Sequence, residues 1–233
     1  MLNELFPHMG GAFFDMDGTL LDSMGAWSRT PVRYLESLGL QPQENLAERF
    51  VSLTFHQQAQ VLRQEYGIQL EEGDIVSGYH KLMEDFYRRE AREKPGAGRF
   101  LSYLRDHGVA LYVVSATPGR LVRIALDRAG LSPYFSHIFS AWDLNTSKRK
   151  TDIFRQAQQS MGLPAEEIWV FEDALYAMKT AKSMGFPLAA VEEDTAKAQR
   201  DEIFRIADLW IPSYEALMQR CRRSLPSGCA PSP

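Results

Sequence analysis

The sequence has little cysteine and no excess of positive charge. Its 233 residues include only two cysteines, Cys221 and Cys229, which lie near the C-terminal end and outside any metal-ligand spacing. A cysteine-based metal site is therefore not indicated, and a reduced, cytosolic setting is expected. The formal net charge of -4 argues against nucleic acid as the main partner, which usually needs a basic face. A phosphorylated ligand stays compatible with this charge, because a local site can be positive in an acidic protein.

Long apolar runs are also absent. No stretch approaches the ~20 apolar residues of a membrane span. The start, MLNELFPHMGG, lacks the basic residues and apolar core of a signal peptide, so no membrane partner is expected. Hydrophobic residues make up 45% of the chain and charged residues 24%, which is ordinary for a globular protein with one large domain or a domain plus an insertion. Residues 221–233 have the composition of a disordered tail.

Short apolar runs alternate with helical patterns through most of the chain. The runs cover residues 12–14, 109–114, 168–171, 187–191 and 209–211, and turn residues bound each of them. Strands that alternate with helices predict an α/β fold, a doubly wound parallel sheet covered on both faces. Ligands of such sheets bind at the carboxyl ends of the strands.

One region breaks this alternation. Between residues 24 and 93 the sequence shows helical patterns and no convincing strand. The apolar positions of its last two predicted helices are Phe55, Ala59, Leu62 and Tyr66, and then Ile75, Tyr79, Leu82 and Phe86 with Glu90. We therefore predict a core formed by residues 1–22 and 94–220, with an all-helical insertion at residues 23–93.

Two aspartates, Asp15 and Asp17, follow the first apolar run in the segment GAFFDMDGTLLDS. Carboxylates at the end of a buried strand are costly unless a cation or hydrogen bonds compensate them. Two of them that reach one point suggest a Mg²⁺ site and a nucleophile, with Gly18 allowing a sharp bend. The same residues are also common in polar turns, so the motif needs support from the rest of the chain.

The segment runs from an apolar strand through D-x-D-G-T and a second apolar stretch to D-S. This order resembles the first motif of the haloacid dehalogenase-like superfamily. The longer form DMDGTLLDS is similar to the branch that includes small-molecule phosphatases and β-phosphoglucomutase. The resemblance implies a Rossmann-like core with an inserted helical cap domain, which controls the access of water and selects the substrate. It also implies that Asp15 attacks phosphorus, that Asp17 transfers protons, and that the backbone carbonyl of Met16 supplies a metal ligand.

Ser115 and Ala116 follow another apolar run and precede Pro118, which suits the start of a helix. A hydroxyl beside free N–H groups at a helix N-terminus can hold a phosphate. Ser115 matches the phosphate-binding Ser/Thr of the superfamily's second motif, so Ser115 and Ala116 are the predicted phosphate-binding residues. Taken alone, the segment S-A-T-P is usually just a helix cap.

Three positive charges, Lys148, Arg149 and Lys150, precede the helix predicted from Thr151. They oppose the helix dipole, so another group is expected to interact with them. A solvated basic turn is the commoner explanation of such a cluster. The segment resembles the superfamily's K-x-x-P-D motif, with Thr151 where proline is common. The resemblance favours Lys148 as the site lysine and keeps Lys150 in reserve. Either would neutralise the nucleophile and the phosphoryl oxygens.

Glu172 and Asp173 end a fourth apolar run and resemble the acidic pair of the superfamily's fourth motif. The resemblance implies that Asp173 is a direct metal ligand and that Glu172 lies nearby or acts through water. Ala177 stands where relatives have glycine. The predicted Mg²⁺-binding residues are Asp15, Asp17, Asp173 and Glu172.

These motifs together predict a Mg²⁺-dependent hydrolase of small phosphate monoesters that works through an aspartyl-phosphate. Asp17 argues against a dehalogenase, because a halide leaving group needs no proton. A sugar-phosphate mutase stays an alternative, although Trp27 stands where mutases have a cap histidine. A non-catalytic phosphometabolite sensor is the less favoured alternative, since a binder needs no nucleophile.

Trp27 and Arg49 are candidate substrate contacts in the helical insertion. A core tryptophan and a surface arginine are the more ordinary roles of these residue types. A small phosphorylated substrate is the expected partner, and the chain is expected to be a monomer or a small homo-oligomer.

Overall fold

The computed structural model describes residues 2–50 and 53–223 of the 233-residue chain. Most of the predicted disordered tail, residues 224–233 with Cys229, lies outside the described residues. Residues 221–223 belong to the last helix, Tyr214–Arg223, in which Cys221 is buried. Within the described ranges, no helix is both long and apolar enough to cross a bilayer.

Six parallel strands form one sheet in the order β3-β2-β1-β4-β5-β6. The strands are β1 Gly11–Phe14, β2 Ala110–Ser115, β3 His137–Ser140, β4 Ile168–Glu172, β5 Leu188–Val191 and β6 Leu209–Ile211. The strand order runs outward in both directions from β1, as in doubly wound folds. The predicted α/β class is confirmed.

Strand β3 has no counterpart among the predicted strands. It lies at the edge of the sheet, where Ser140 pairs in register with Ser115 of β2. His137 is exposed, and Ile138 and Phe139 are half-buried. The segment therefore lacks the continuous apolar run that reveals a strand buried on both faces.

Eleven α-helices are present in the described residues. They are α1 Leu2–Leu5, α2 Met24–Ser37, α3 Leu46–Phe50, α4 Phe55–Tyr66, α5 Glu72–Arg89, α6 Ala97–Asp106, α7 Gly119–Ala129, α8 Asp152–Met161, α9 Leu175–Ser183, α10 Arg200–Ile206 and α11 Tyr214–Arg223. The chain divides into two units. We call them the core unit, Met1–Asp22 with Glu93–Pro233, and the helical unit, Ser23–Arg92.

Strand β1 lies in the middle of the sheet, and all of its residues are buried. Phe13 belongs to the apolar cluster that also contains Phe154 of α8, while the Phe14 ring stacks on Phe171 with ring centroids 4.2 Å apart. A Cβ atom at Gly11 would lie 2.2 Å from Sδ of Met161, so α8 packs directly against the start of the strand. Burial of each large apolar side chain stabilises the fold by about 1.5–3 kcal/mol.

The helical unit contains α2 to α5 and no strand among its described residues. Helix α4 begins with a capping box between Thr54 and Gln57. The side chain of each residue accepts a hydrogen bond from the backbone N–H of the other. Helices α2 and α5 approach closely at Gly78, where a Cβ atom would lie 2.3 Å from the ring of Tyr34. Only a residue without a side chain fits this crossing without a shift of the ring.

The buried face of α5 differs in part from the predicted one. The face follows every fourth residue, Ile75, Tyr79, Met83 and Tyr87. The predicted positions Leu82 and Phe86 are half-buried, and Glu90 is exposed. A helix repeats every 3.6 residues, so spacings of three and four are equally compatible with one face until its packing partners are known.

Candidate active site

The candidate site lies at the carboxyl ends of the central strands. The N–H of Asp15 donates to the carbonyl oxygen of Phe171 over 3.0 Å, which extends the pairing of β1 with β4 by one residue. Gly18 then takes a positive φ of 77°, and its N–H donates to the Leu21 carbonyl over 3.1 Å. This tight turn keeps the residues after β1 at the edge of the sheet, where β4 ends with Glu172.

Three acidic side chains meet at this edge. Asp15, Glu172 and Asp173 each have a carboxylate oxygen within 4.8 Å of the other two. All three residues are at most 9% exposed. Buried carboxylates in such proximity repel each other unless a cation lies among them.

The ammonium group of Lys148 joins two of these acids. Its Nζ atom lies 3.0 Å from Oδ1 of Asp15 and 2.5 Å from Oε2 of Glu172, and the lysine is 1% exposed. Burial lowers the pKa of Lys148, but the carboxylates of Asp15 and Glu172 outweigh it and raise the pKa well above its ordinary value. Lys148 is therefore a permanent cation in the site. Lys150, the other candidate lysine, is exposed.

The acid cluster has the chemistry of a site for a hard divalent cation. Its donors are all carboxylate oxygens, which hard divalent cations prefer. Oδ1 of Asp15 is buried and accepts no hydrogen bond from the described part of the chain, since its contact with Lys148 is an ion pair without hydrogen-bond geometry. This oxygen thus retains capacity for a further electropositive partner. The residues present fit a divalent cation.

Burial also changes the acidity of the cluster. It raises the pKa of Asp173 to about 7, and the Asp15 carboxylate adds to the rise, while the hydroxyl of Thr19 opposes it by donating to Oδ1 of Asp173 over 2.8 Å. Burial and the Asp15 carboxylate likewise raise the pKa of Glu172, against the lowering effect of Lys148. The cluster therefore holds protons readily when no metal compensates its charge.

Asp17 is oriented differently from the other acids. Its Oδ2 atom accepts a 2.7 Å hydrogen bond from Oγ1 of Thr117. Asp17 is not a member of the three-acid group, although the sequence predicts it as a metal ligand beside Asp15. The carbonyl of Met16, the other predicted ligand, accepts hydrogen bonds of 2.9 Å from the N–H groups of Leu20 and Leu21. Those two bonds occupy the oxygen within the turn.

Ser115 and Ala116 lie at the carboxyl end of β2, in register with the end of β3. The Ser115 hydroxyl is buried and accepts a 3.2 Å hydrogen bond from the N–H of Thr117, while Ala116 is exposed. Helix α7 begins three residues later, at Gly119. A hydroxyl and backbone N–H groups thus precede a helix N-terminus, an arrangement that suits an anion.

Trp27 and Arg49 have structural partners within the helical unit. Trp27 is 7% exposed, its Nε1 donates to the hydroxyl of Tyr87 over 3.1 Å, and its ring stacks on Phe55. Arg49 forms an ion pair with Glu65 at the surface. These are the ordinary roles of a core tryptophan and a surface arginine.

Three further residues contribute to the site without having been singled out in the sequence. Thr19 binds Asp173 and Thr117 binds Asp17. Tyr176, on the first turn of α9, lies close enough to Lys148 and Glu172 for their charges to act on its pKa, although burial is the larger effect and raises it. The signal for Thr19 was present in the D-G-T motif itself. No sequence pattern indicated the other two.

Comparison with known proteins identifies the family. A model of the haloacid dehalogenase-like hydrolases matches residues 12–191 of the chain. This range covers most of the core unit and the whole helical unit. The chain belongs to the haloacid dehalogenase-like hydrolase family, and the family expected from its motifs is confirmed.

Individual relatives agree with this assignment. The chain is 24% identical to the phosphorylated carbohydrates phosphatase of Thermotoga maritima, over 76% of this chain and 82% of the relative. It is 27% identical to hexitol phosphatase A of Escherichia coli, over 89% of this chain and 92% of the relative. The crystal structure of CbbY from Rhodobacter sphaeroides in complex with phosphate has the same fold, with a TM-score of 0.75, 21% identity, and coverage of 90% of this chain and 96% of that one.

Proposed function

We propose that the protein is a Mg²⁺-dependent hydrolase of small phosphate monoesters that works through an aspartyl-phosphate on Asp15. The observation that carries the proposal is the contact of Lys148 with both Asp15 and Glu172 inside a buried group of three acids. The named phosphatases among its relatives support the same reaction class. Scarce cysteine supports a cytoplasmic location, and we expect a monomer or a small homo-oligomer.

Asp15, Asp173 and Glu172 are the residues that would hold the metal. When bound, Mg²⁺ supplies positive charge to the phosphoryl oxygens and offsets the repulsion between phosphate and the attacking carboxylate. Metal binding requires deprotonated ligands. Because the pKa of Asp173 is raised to about 7, protons compete with the metal for this carboxylate near and below that pH.

Asp15 acts as the nucleophile in the first step. Its carboxylate oxygen bonds to phosphorus while the ester P–O bond breaks, and the departing oxygen receives the proton of Asp17. Lys148 stays protonated and faces the negative charge that develops on the phosphoryl oxygens. The hydroxyl of Ser115 and the N–H of Ala116 bind the same phosphoryl group.

A water molecule completes the reaction. Asp17, now a carboxylate, takes a proton from water as the water oxygen attacks phosphorus, which breaks the bond to Asp15 and releases inorganic phosphate. The Thr117 hydroxyl, which donates to Oδ2 of Asp17, supports this role because it orients the acid. Asp17 thus donates one proton in the first step and regains one proton in the second.

A sugar-phosphate mutase is disfavoured by Trp27. This residue corresponds to the cap histidine of mutases, yet its indole N–H is a hydrogen-bond donor only and is already bound to Tyr87. It offers no group that could accept a proton from a sugar hydroxyl. Hydrolysis, in which water is the second nucleophile, needs no such group.

Hydrolysis of p-nitrophenyl phosphate tests the proposal. The wild-type protein is expected to release phosphate with excess Mg²⁺ and to lose activity in EDTA. Asp15→Asn is expected to be inactive, whereas Asp106→Asn, at an exposed aspartate of the same unit, keeps full activity. A wild-type protein as inactive as Asp15→Asn across a panel of phosphate monoesters contradicts the proposal. Conversion of one hexose phosphate to its isomer without phosphate release would instead establish the mutase.

A further inference from the structure

The basic segment before α8 holds more positive charge than the proposed reaction uses. Lys148 contacts Asp15 and Glu172, but Arg149 and Lys150 are both exposed. Arg149 is nevertheless ordered by a specific contact. Its guanidinium carbon lies 4.4 Å from the centre of the Tyr176 ring, whereas the Lys150 side chain has no hydrogen bond, ion pair or ring contact within the described part of the chain.

Tyr176 links this arginine to the acid cluster. It lies three residues after Asp173, on the first turn of α9, and is half-buried. Burial raises the pKa of its hydroxyl, and the charges of Lys148, Glu172 and Asp15 also act on it, so the phenol lies within electrostatic range of the catalytic charges. The guanidinium of Arg149 thus stacks on a ring whose hydroxyl is under the electrostatic influence of the catalytic charges.

The formal charge of the site suggests that Arg149 can bind a second anionic group. The three acids and Lys148 carry a formal charge of -2, which one divalent cation balances, and Asp17 adds no charge when it enters the reaction as the protonated acid. A phosphate monoester then brings negative charge that Lys148 alone meets, and a second anionic group on the substrate finds no further cation inside the cluster. Stacking occupies the face of a guanidinium and leaves its N–H edges free for an oxyanion.

We propose that Arg149, held against Tyr176, is a binding site for a second oxyanion of the substrate. The preferred substrates are then phosphate monoesters that also carry a carboxylate or a second phosphate. The stacked guanidinium is already ordered, so less conformational freedom is lost when it binds the anion. This inference rests on the proposed phosphatase function, because it assumes that a phosphoryl group occupies the site beside Lys148.

Calorimetric titration of the full-length Asp15→Asn protein with excess Mg²⁺ tests this inference without turnover. The ligands are sorbitol 6-phosphate, 6-phosphogluconate and sorbitol 1,6-bisphosphate, which share one phosphate and differ at the far end of the chain. We expect at least about tenfold tighter binding of one or both two-anion ligands, as for a hydrogen bond between charged groups. The two arms show whether a carboxylate or a phosphate is preferred. Adding Arg149→Gln is expected to abolish the preference.

Lys150→Gln in the same background is the matched control, because it removes one exposed positive charge from the neighbouring residue. It is expected to retain the preference, and thermal unfolding of each variant verifies that the fold is intact. Equal or uniformly weak binding of the three ligands overturns the inference, as does a preference that survives Arg149→Gln or is lost equally in Lys150→Gln. Failure of the proposed function is separate, since it shows as absent p-nitrophenyl phosphate hydrolysis by the wild-type protein.

Discussion

The hydroxyl of Thr117 donates a 2.7 Å hydrogen bond to the carboxylate of Asp17, 100 residues earlier in the chain. Thr117 is itself held at both ends of its backbone. Its N–H donates to the Ser115 hydroxyl over 3.2 Å, and its carbonyl accepts from the Ser140 hydroxyl over 2.9 Å. Residues at the ends of β2 and β3 therefore help to orient Asp17.

Thr117→Val is expected to lower kcat, because it removes the donor that orients Asp17. A hydrogen bond to a charged group contributes about 1.5–3 kcal/mol, so a loss of roughly tenfold or more is expected. The loss should be larger with an alkyl phosphate than with p-nitrophenyl phosphate, since only the alkoxide needs a proton to leave. Steady-state kinetics with both substrates measures the difference. Thr117→Ser keeps the donor and serves as control. Equal losses of kcat/KM on both substrates would contradict this role, because kcat/KM reports the steps up to departure of the leaving group, whereas kcat also includes the second step that both substrates share.

Lys148→Met is expected to reduce both activity and stability. It leaves the buried carboxylates of Asp15 and Glu172 without their cation, which typically costs about 3–5 kcal/mol. Loss of a preorganised positive charge lowers kcat by about 100-fold or more. Urea denaturation and p-nitrophenyl phosphate hydrolysis measure the two effects. Lys150→Met, at an exposed lysine two residues away, should change neither, and equal effects of the two variants would speak against the assignment of Lys148.

The metal-free protein is expected to lose stability as the pH rises from about 4 to about 7. Asp173 keeps its proton up to about pH 7 in the folded protein but has an ordinary pKa of 3.8. The folded state therefore binds more protons across this window, so the free energy of unfolding falls with rising pH, by a few kcal/mol at most. Glu172, with its raised pKa, acts in the same direction.

Urea denaturation in EDTA at pH 5 and pH 8 measures this dependence. Asp173→Asn, which cannot titrate at this position, should lose less stability between the two pH values than the wild type. Excess Mg²⁺ should remove most of the wild-type loss at pH 8, because the metal binds the deprotonated carboxylates. Identical pH profiles of the two proteins in EDTA would show that Asp173 does not titrate as described.

Gly78→Ala is expected to destabilise the helical unit. The new methyl group would lie 2.3 Å from the ring of Tyr34, which must move within a packed interface between α2 and α5. Overpacking of this kind costs about 1–3 kcal/mol. Gly73→Ala, in the first turn of the same helix, meets no atom within 4 Å and should be neutral or stabilising. Chemical denaturation of both variants checks the contrast, and a Gly78→Ala protein as stable as Gly73→Ala would refute it.

Much of the fold was predictable because its signals are local. Apolar runs bounded by turns mark the buried strands, and their alternation with helices predicts a parallel sheet. Edge strand β3 was not predicted, because Ile138 and Phe139 are only half-buried and His137 is exposed. The buried face of α5 continued at Met83 rather than Leu82, since only the neighbouring helices decide between spacings of three and four residues.

By itself, the sequence determined the family and the acids that end the central strands. A carboxylate directly after a buried apolar run is a pattern of adjacent residues, and it can be recognised without any knowledge of distant partners. Only the tertiary structure decided which of these side chains contact one another. It joins Lys148 rather than Lys150 to Asp15, and it bonds Asp17 to Thr117 while leaving Asp17 outside the group of three acids. These choices depend on distances between residues 100 or more positions apart, which the packing of the strands sets and no local pattern encodes.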